Sequence, residues 1–289
     1  MQFHGFYSQM DKIKYLRLIK YPGSKYNYLD KLNSIFNNYE FNTFIDTFGG
    51  SAAVSLNVQS DKTVFNDIDN NIHIILNSFK YGSFENLKEL YTYIEKNYKN
   101  INLKNDHSKE EYYNCRNYFN AKYLHKDNIM LGFFYFIISA AAINSMFRVG
   151  PNGFNQGYGY TKIKIIDENE FNLIKNKILN LNIHKLDYQE LLNLYNTDEN
   201  ILWFLDPPYN LKLKNSTTYK NNNFHEDEFF NFIKKIKGNI VYTDYYDESK
   251  IEKLNKIRKF NYKILREMKS LAPSKSKKET EFLECIYYT

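Results

Sequence analysis

The sequence predicts an α/β protein in which helices cover both faces of a mostly parallel sheet. A short strand at residues 41–46, a glycine break and a second strand at residues 63–65 form a strand–helix–strand beginning, which is typical of parallel sheets. The five apolar residues at 201–205 match a strand that is buried on both faces of such a sheet. Between residues 81 and 162 the alternation stops, which predicts an inserted, mainly helical region.

The length of 289 residues supports one large domain that carries a smaller one. We expect a discontinuous main domain of residues 1–80 and 163–289 and an insertion of residues 81–162. Hydrophobic residues make up 43% of the chain and charged residues 25%, which is the balance of an ordinary folded protein.

The individual elements follow from hydrophobic spacing and turn residues. Leu29, Leu32 and Ile35 recur at helical spacing after a Pro-Gly turn at residues 22–23. A helix is predicted to start at Ser51, directly after a pair of glycines. The other predicted elements are helix 71–79, buried helix 129–143, strands 183–186 and 201–205, helix 226–236, and strands 239–243, 260–267 and 281–288.

Positive charge is concentrated in one C-terminal segment. The chain has a net charge of +6. Residues 258–278 hold eight basic residues against one acidic residue, so this segment carries +7 and the rest of the chain is close to neutral. The balance permits a nucleic-acid partner without requiring one, because a solvated basic surface would have the same composition.

Cysteine content and apolar patterning argue against other classes of protein. Cys115 and Cys285 are far apart and no Cys-x-x-Cys pair occurs, so we expect neither a disulfide framework nor a metal site, and a reducing cytosol fits. Residues 1–14 lack the apolar run of a signal peptide. The apolar stretch at 129–143 is shorter than the roughly 20 residues that span a bilayer, which favours a buried helix and no membrane partner.

The strongest chemical signal is Asp206-Pro207-Pro208-Tyr209, directly after the apolar strand. The carboxylate of Asp206 is expected at the carboxyl end of the strand, where open α/β sheets bind their ligands. The two prolines fix the backbone and remove two N–H donors, while their carbonyl oxygens can still accept hydrogen bonds. A carboxylate, a carbonyl and the aromatic ring of Tyr209 together suit a planar base that bears an amino group.

A glycine-containing turn forms a second candidate site. Gly49 and Gly50 stand directly after the first strand, where glycines allow the backbone to approach a ligand closely. Asp67 follows the next strand, the position from which an acid binds ribose hydroxyls in dinucleotide folds. The Gly-x-Gly-x-x-Gly pattern is absent, which argues against a NAD-dependent enzyme.

These motifs resemble those of the Dam-like (D12 class, alpha group) S-adenosylmethionine-dependent DNA adenine-N6 methyltransferases. In the amino-methyltransferases, adenine-N6 enzymes mostly carry Asp at the first position of the Asp-Pro-Pro-Tyr motif, cytosine-N4 enzymes more often Ser, and glutamine-methylating enzymes Asn. The resemblance extends from Leu16 to Tyr288 and keeps the motif order of the family. It implies a Rossmann-like methyltransferase sheet, with the catalytic domain interrupted by a target-recognition domain.

The resemblance also implies which residues bind S-adenosylmethionine. The glycine turn is similar to the Phe-x-Gly-x-Gly cofactor loop, and residues 21–25 are similar to an aromatic-x-Gly-x-Lys segment that wraps the methionine end. Tyr21 would then pack against the cofactor, and Lys25 would contact it or its neighbourhood. Asp187 matches an acid that bonds the cofactor adenine, although an ordinary acid at a strand end would look the same. The residues implied for cofactor binding are Tyr21, Gly23, Lys25, Asp46, Phe48, Gly49, Gly50, Ser51, Asp67, Asp187 and Asp206.

A loop in the insertion resembles the target-recognition loop of the same family. Asn144 and Arg148 match its Asn-Gly-x-x-Arg pattern, with Ser145 in place of the usual Gly, and Asn155 matches its later Phe-Asn. The resemblance implies that Arg148 reaches a base or a phosphate, and Arg is the commonest bidentate reader of guanine. Because residues 149–151 also depart from the pattern, the resemblance does not assign a GATC target.

The basic C-terminal segment is then expected to face DNA. Lys275, Lys277 and Lys278 would lie along DNA phosphates, which contribute affinity without sequence information. The implied partner is double-stranded DNA, and the resemblance leaves open whether a cognate restriction endonuclease accompanies the enzyme. The implied place of action is the bacterial nucleoid or, for a viral enzyme, the host cell.

A mechanism follows from the resemblance. The adenine would be flipped out of the duplex, Tyr209 would stack on it, and Asp206 and the carbonyl of Pro207 would accept the two N6 hydrogens. N6 would attack the sulfonium methyl group in line, without a metal. Two alternatives stay open: a methyltransferase for another acceptor (cytosine N4, RNA adenine or a protein side chain), and a catalytically silent DNA-binding protein that binds the cofactor.

Overall fold

A seven-stranded mixed sheet forms the centre of the computed structural model. The structure describes residues 15–21, 23–123, 129–196, 200–208, 224–269 and 281–289, and of residues 267–269 and 281–282 the backbone alone. The strands are β1 (Thr43–Asp46), β2 (Lys62–Asn66), β3 (Val149–Gly150), β4 (Gly153–Phe154), β5 (Leu181–His184), β6 (Ile201–Leu205), β7 (Asn239–Tyr245), β8 (Asn261–Lys269) and β9 (Glu281–Tyr288). The short strands β3 and β4 form a separate antiparallel hairpin.

The order of strands in the sheet is β5-β2-β1-β6-β7-β9-β8. The first five run parallel to one another, whereas β9 is antiparallel to both of its neighbours. The carboxyl ends of the five parallel strands therefore meet at one edge of the sheet. The order reverses between β1 and β6, and this kind of switch point is where open α/β sheets form a ligand crevice.

Helices cover both faces of the sheet, as predicted. They are α1 (Leu29–Phe36), α2 (Asn70–Tyr81), α3 (Phe84–Asn97), α4 (Asp106–Tyr123), α5 (Ile129–Ser139), α6 (Glu168–Leu179), α7 (Leu191–Tyr195), α8 (Glu226–Lys235) and α9 (Glu248–Ile257). On one face, Phe36 of α1 packs edge-on against Phe44, with ring centroids 5.1 Å apart. On the other face, Phe232 of α8 packs against Trp203 at 5.9 Å.

The region between β2 and β5 builds a helical layer around α5. Nine of the eleven residues of α5 are buried, which confirms the predicted buried helix over residues 129–139, although the helix ends four residues earlier than predicted. At Gly132 the helix crosses α2 so closely that a Cβ atom would lie 2.1 Å from the Ser78 Oγ. The apolar core of this region is continuous with residues of α2 and α6, so the boundaries at 80/81 and 162/163 stay a prediction.

The predicted helix from Ser51 is wrong. Residues 51–57 form consecutive turns, and Ala52 has a φ of 58°, in the left-handed region that interrupts a right-handed helix. Side chains of the segment are committed elsewhere: Ser55 Oγ donates to Asp46, and Asn57 bonds the backbone of the N-terminal segment. These hydrogen bonds hold residues 51–57 in a non-helical conformation directly after the glycine turn.

The helices α6, α7 and α9 are not predicted by the patterns above. For α6 a usable signal exists, because Asp167 caps its first turn and Phe171, Ile174 and Ile178 are buried at helical spacing. Within the described ranges, no helix is long and apolar enough to cross a membrane. The same ranges contain no group of three or more His, Cys, Asp or Glu residues that could hold a metal ion.

Candidate active site

A cleft of about 540 Å³ opens at the switch point of the sheet. Its walls come from the carboxyl ends of the parallel strands and from the turn before α1. All residues predicted to bind the cofactor line this one cleft, and Pro207 and Pro208 line it too. Tyr209, the last residue of the predicted motif, lies outside the described residues.

Asp206 is held in one orientation by two donors. It follows β6, and Lys25 Nζ lies 2.7 Å from each of its carboxylate oxygens. Thr243 Oγ1, on the neighbouring strand β7, donates to Asp206 Oδ1 at 2.7 Å. Lys25 is 3% exposed and Thr243 is fully buried, so the carboxylate is fixed by groups that solvent does not reach. Fixed donors of this kind pre-orient a functional group.

Lys25 also joins Asp206 to a second buried acid. Its Nζ lies 3.3 Å from Glu284 Oε1, and Glu284 in turn accepts a hydrogen bond from Arg266 Nε. Glu284 is 1% exposed, whereas Arg266 reaches the wall of the cleft. Two carboxylates and two cations thus alternate in a chain from the hairpin β8–β9 to the end of β6. Buried charges are tolerated when they are paired in this way.

Asp46, at the end of β1, carries a carboxylate oxygen that protein groups leave unsatisfied. Its Oδ2 accepts from Ser55 Oγ at 2.6 Å, but its Oδ1 has no hydrogen-bond partner among the described residues. Burial raises the pKa of the Asp46 carboxyl to about 7, and the nearby carboxylates of Asp206 and Asp67 contribute to that rise. A buried acceptor without a partner is costly. Asp46 therefore lines the cleft with a carboxylate oxygen that no described protein donor reaches.

The two glycines of the turn are required for different reasons. A Cβ atom at Gly49 would lie 2.2 Å from the ring of Phe65, so the position has no room for a side chain. Gly50 has a φ of 48°, and its N–H donates to Asp67 Oδ2 at 2.7 Å. Burial raises the pKa of the Asp67 carboxyl. Asp67, which the sequence predicts to bind the cofactor, thus also connects the glycine turn to the end of β2.

The turn before α1 closes over the glycine turn. The ring of Tyr21 lies beside Gly50, and the Tyr21 hydroxyl donates to Asp69 Oδ2 at 3.1 Å. Ser24 Oγ and Ser51 Oγ share a hydrogen bond of 2.9 Å. Two segments that are separate in sequence therefore form one wall.

Asp187, which also lines the cleft, has a structural role as well. Its Oδ1 accepts from Gln189 N at 2.9 Å and caps the short helix Tyr188–Glu190. The Tyr188 ring packs against Phe48 at 5.3 Å and lines the cleft beside Asp187. The predicted cofactor residues include Asp187 of this segment, and the structure adds Tyr188 beside it.

The predicted recognition loop lies apart from the cleft lining. Asn144, Arg148 and Asn155 are exposed, and Asn155 N donates to Arg148 O at 3.2 Å, which extends the β3–β4 hairpin by one pair. Asn144 has a φ of 56°, the left-handed conformation that asparagine tolerates better than most residues. Lys20, which the sequence did not flag, has its Nζ 3.3 Å from Ser145 Oγ.

The predicted phosphate contacts cannot be placed. Lys275, Lys277 and Lys278 lie outside the described residues, between β8 and β9. Their assignment to DNA binding stays a prediction.

The parallel strands, the antiparallel β9 and the acid–proline turn at the switch point define a Rossmann-like methyltransferase fold. Residues 21–272 match the family model of the D12 class N6 adenine-specific DNA methyltransferases. The chain belongs to this family.

Three curated relatives are similar to the chain. They are the modification methylase StsI of Streptococcus sanguinis (26% identity over 201 residues, 68% of this chain), the DNA adenine methylase of Haemophilus influenzae (25% over 202 residues, 68%) and the type II methyltransferase M.FokI of Planomicrobium okeanokoites (27% over 201 residues, 66%). The matches cover 29%, 65% and 28% of those proteins, respectively. The chain thus spans less than two thirds of the length of each.

Proposed function

We propose that this protein transfers a methyl group from S-adenosylmethionine to N6 of adenine in a specific double-stranded DNA sequence. The observation that carries the proposal is Asp206, fixed by Lys25 and Thr243 at the switch point and followed by two prolines. Membership of an adenine-specific DNA methyltransferase family supports adenine in DNA as the acceptor.

The cleft suits S-adenosylmethionine in size and charge. A volume of about 540 Å³ falls within the range of pockets for small ligands and cofactors. Among the described residues, Lys25 and Arg266 are the lysine and arginine that line the cleft. Five aspartates line it as well: Asp46, Asp67, Asp69, Asp187 and Asp206. The unsatisfied Oδ1 of Asp46 would accept from the ammonium group of such a ligand. S-adenosylmethionine, when bound, supplies the electrophilic methyl group.

The protein's own contribution is to position an adenine amino group. Asp206 and the carbonyl of Pro207 are the two acceptors that we assign to the two N–H groups of N6. Accepting both hydrogens draws the nitrogen lone pair out of conjugation with the ring and makes N6 a better nucleophile. Because Lys25 and Thr243 hold Asp206 before the substrate arrives, little reorganisation is needed at the moment of reaction. Orientation of this kind can lower a barrier by roughly 7–11 kcal/mol.

The adenine must leave the duplex to reach this cleft. Flipping a base costs a few kcal/mol, and binding energy from the rest of the DNA interface offsets that cost. We assign sequence reading to the exposed Asn144, Arg148 and Asn155, phosphate contacts to the lysines at 275–278, and stacking to Tyr209. The names of the relatives StsI and M.FokI also favour a restriction endonuclease as a partner of this system.

Asp206→Ala tests the proposed chemistry. We expect it to abolish transfer of labelled methyl groups to DNA, while calorimetric titration still detects binding of S-adenosylmethionine. Asp61→Ala is a matched control, because Asp61 is exposed beside the amino end of β2, at the opposite edge of the sheet. Near-normal activity of Asp206→Ala would refute the mechanism.

The modified base identifies the acceptor. We expect N6-methyladenine after digestion of the product DNA to nucleosides. N4-methylcytosine instead would replace adenine by cytosine as the acceptor, and cofactor binding without transfer to any DNA would favour a silent DNA-binding protein.

A further inference from the structure

One face of α4 lies along the outer edge of the β3–β4 hairpin. In an antiparallel pair, successive residues alternate between facing the partner strand and facing away. Asn155 N donates to Arg148 O, so this pair faces inward. The N–H and C=O of Phe154, one residue earlier, therefore point away from β3 and need other partners.

A single side chain of α4 satisfies both of these groups. Asn120 Nδ2 donates to Phe154 O at 2.9 Å, and Phe154 N donates to Asn120 Oδ1 at 3.1 Å. The amide of Asn120 thus pairs with β4 as the backbone of a third strand would.

The same face of α4 continues this pairing. Gln156 O, the next carbonyl on that side, accepts from Arg116 Nη1 and from the Tyr112 hydroxyl, both at 3.0 Å. Residues 112, 116 and 120 are spaced by four and lie on one side of the helix. Together they form a polar edge to which residues 154–156 are attached.

Gly153 shows how closely Asn120 approaches the hairpin. Its φ is 92°, and a Cβ atom there would lie 2.5 Å from both Cγ and Oδ1 of Asn120. On the inner side, the buried ring of Phe154 packs against Phe147 and Tyr135, with centroids 6.0 and 6.3 Å away. The β3–β4 hairpin therefore packs on one side against the rings of Phe147 and Tyr135 and on the other side against Asn120.

We propose that Asn120 is a positioning residue that sets the DNA sequence selectivity of the β3–β4 hairpin. The inference rests on the proposed function, because it requires that Arg148 and Asn155 read DNA. Bidentate contacts to base edges depend on exact geometry, whereas phosphate contacts carry no sequence information. Loosening the hairpin should thus reduce discrimination between sequences more than overall DNA binding.

The test compares full-length Asn120→Ala and Asn120→Asp with the wild-type protein. The substrate is a pool of duplexes that contains the site methylated by the wild type and all of its single-base variants. For Asn120→Ala we expect the ratio of methylation at the preferred site to methylation at its variants to fall about tenfold, the order of one bidentate base contact. Asn120→Asp keeps the acceptor for Phe154 N but sets a carboxylate oxygen against Phe154 O, so its ratio should fall at least as far as that of Asn120→Ala.

Two further measurements separate positioning from general damage. Hydrogen exchange of the Phe154 amide should become faster in Asn120→Ala, whereas the affinity for S-adenosylmethionine should not change. Asn114→Ala is the matched control, since Asn114 is an exposed asparagine of the same helix. It should behave as the wild type in all three assays.

Three results would overturn the inference. An unchanged exchange rate at Phe154 in Asn120→Ala would mean that the asparagine does not hold the hairpin. Faster exchange with an unchanged methylation ratio, or with an equal loss at every site, would leave Asn120 a structural role alone. A wild-type protein that methylates no duplex would first refute the proposed function, and the inference would fall with it.

Discussion

The cleft and the β3–β4 hairpin are built in opposite ways. In the cleft, functional groups come from distant parts of the chain: Lys25 and Asp206 are 181 positions apart and form a salt bridge with Lys25 almost wholly buried. In the hairpin, Arg148 and Asn155 are close in sequence, exposed, and carried by a backbone that hydrogen bonds from α4 hold in place.

This difference decides which of the two regions can change without loss of the fold. Buried charges must stay paired, so the groups around Asp206 constrain one another and leave little freedom for substitution. Exposed side chains on the hairpin carry no such constraint, since Asn120 bonds the backbone of Phe154 and not the side chains that would face DNA. Chemistry and target choice should therefore respond separately to substitution.

Lys25→Met is expected to have the largest effect on the cleft. It leaves Asp206 and Glu284 as neighbouring carboxylates without the cation between them. Removing one partner of a buried ion pair costs about 3–5 kcal/mol, so the free energy of unfolding should fall by that order in denaturant titrations. Methyl transfer should fall below detection, because Asp206 loses the donor that orients it.

A double variant separates lost stability from lost chemistry. Lys25→Met with Glu284→Gln removes one of the two carboxylates but also its ion pair with Arg266, so it should recover part of the unfolding free energy. Methyl transfer should not return, since Asp206 still lacks its ammonium partner. If the double variant regained activity, Lys25 would matter for charge balance alone.

Arg148→Ala should affect target choice and leave the cleft intact. A bidentate base contact contributes about 1–3 kcal/mol of discrimination, so the preference for the wild-type site should fall about 5- to 150-fold. Affinity for S-adenosylmethionine should stay unchanged, because Arg148 does not line the cleft. Sequencing that maps N6-methyladenine across a genome measures the preference directly.

Arg148→Lys distinguishes a base contact from a phosphate contact. Lysine keeps the charge but cannot form a bidentate pair. Discrimination lost in both variants indicates base reading, whereas discrimination kept in Arg148→Lys would assign Arg148 to a phosphate.

The sequence predicts the cleft better than it predicts the contacts that hold it. Periodicity and glycine positions indicate the parallel strands, and the cleft lining follows from their carboxyl ends. The resemblance to a family adds Tyr21 and Lys25, but not that Lys25 pairs with Asp206 and Glu284. That pairing depends on β9 lying next to β7, which no local pattern specifies.

One wrong prediction and one omission of the sequence analysis have a common physical cause. Residues after Ser51 have helical composition, yet tertiary hydrogen bonds of Ser55 and Asn57 override that propensity. Asn120 is one asparagine among many in this chain, and its role arises because α4 packs against a hairpin more than thirty residues later. In both cases distant contacts decide what the local sequence leaves open.

Asp46→Asn is expected to have the smallest effect on cofactor binding. It tests whether the affinity for S-adenosylmethionine depends on pH through Asp46. The Asp46 carboxyl has a pKa of about 7 without ligand, because of burial above all. An ammonium group beside it favours the ionised form, so S-adenosylmethionine should bind roughly fivefold more tightly at pH 7 than at pH 6, where its own ammonium stays largely protonated, if only ionised Asp46 pairs with it. The amide that replaces the carboxyl does not titrate, so calorimetric affinities of the variant should not show this rise.

The raised pKa of the Asp46 carboxyl also predicts that, without ligand, the free energy of unfolding depends on pH. Because the folded pKa of Asp46 is raised above its ordinary value near 4, the unfolded state releases this proton first as pH rises. The contribution of Asp46 to the unfolding free energy is therefore full below pH 4 and declines as pH rises through 7. Asp46→Asn should remove that decline in denaturant titrations between pH 5 and 8. Equal slopes in variant and wild type would mean that Asp46 is already ionised in the folded protein, and the pH dependence of cofactor binding would then need another group.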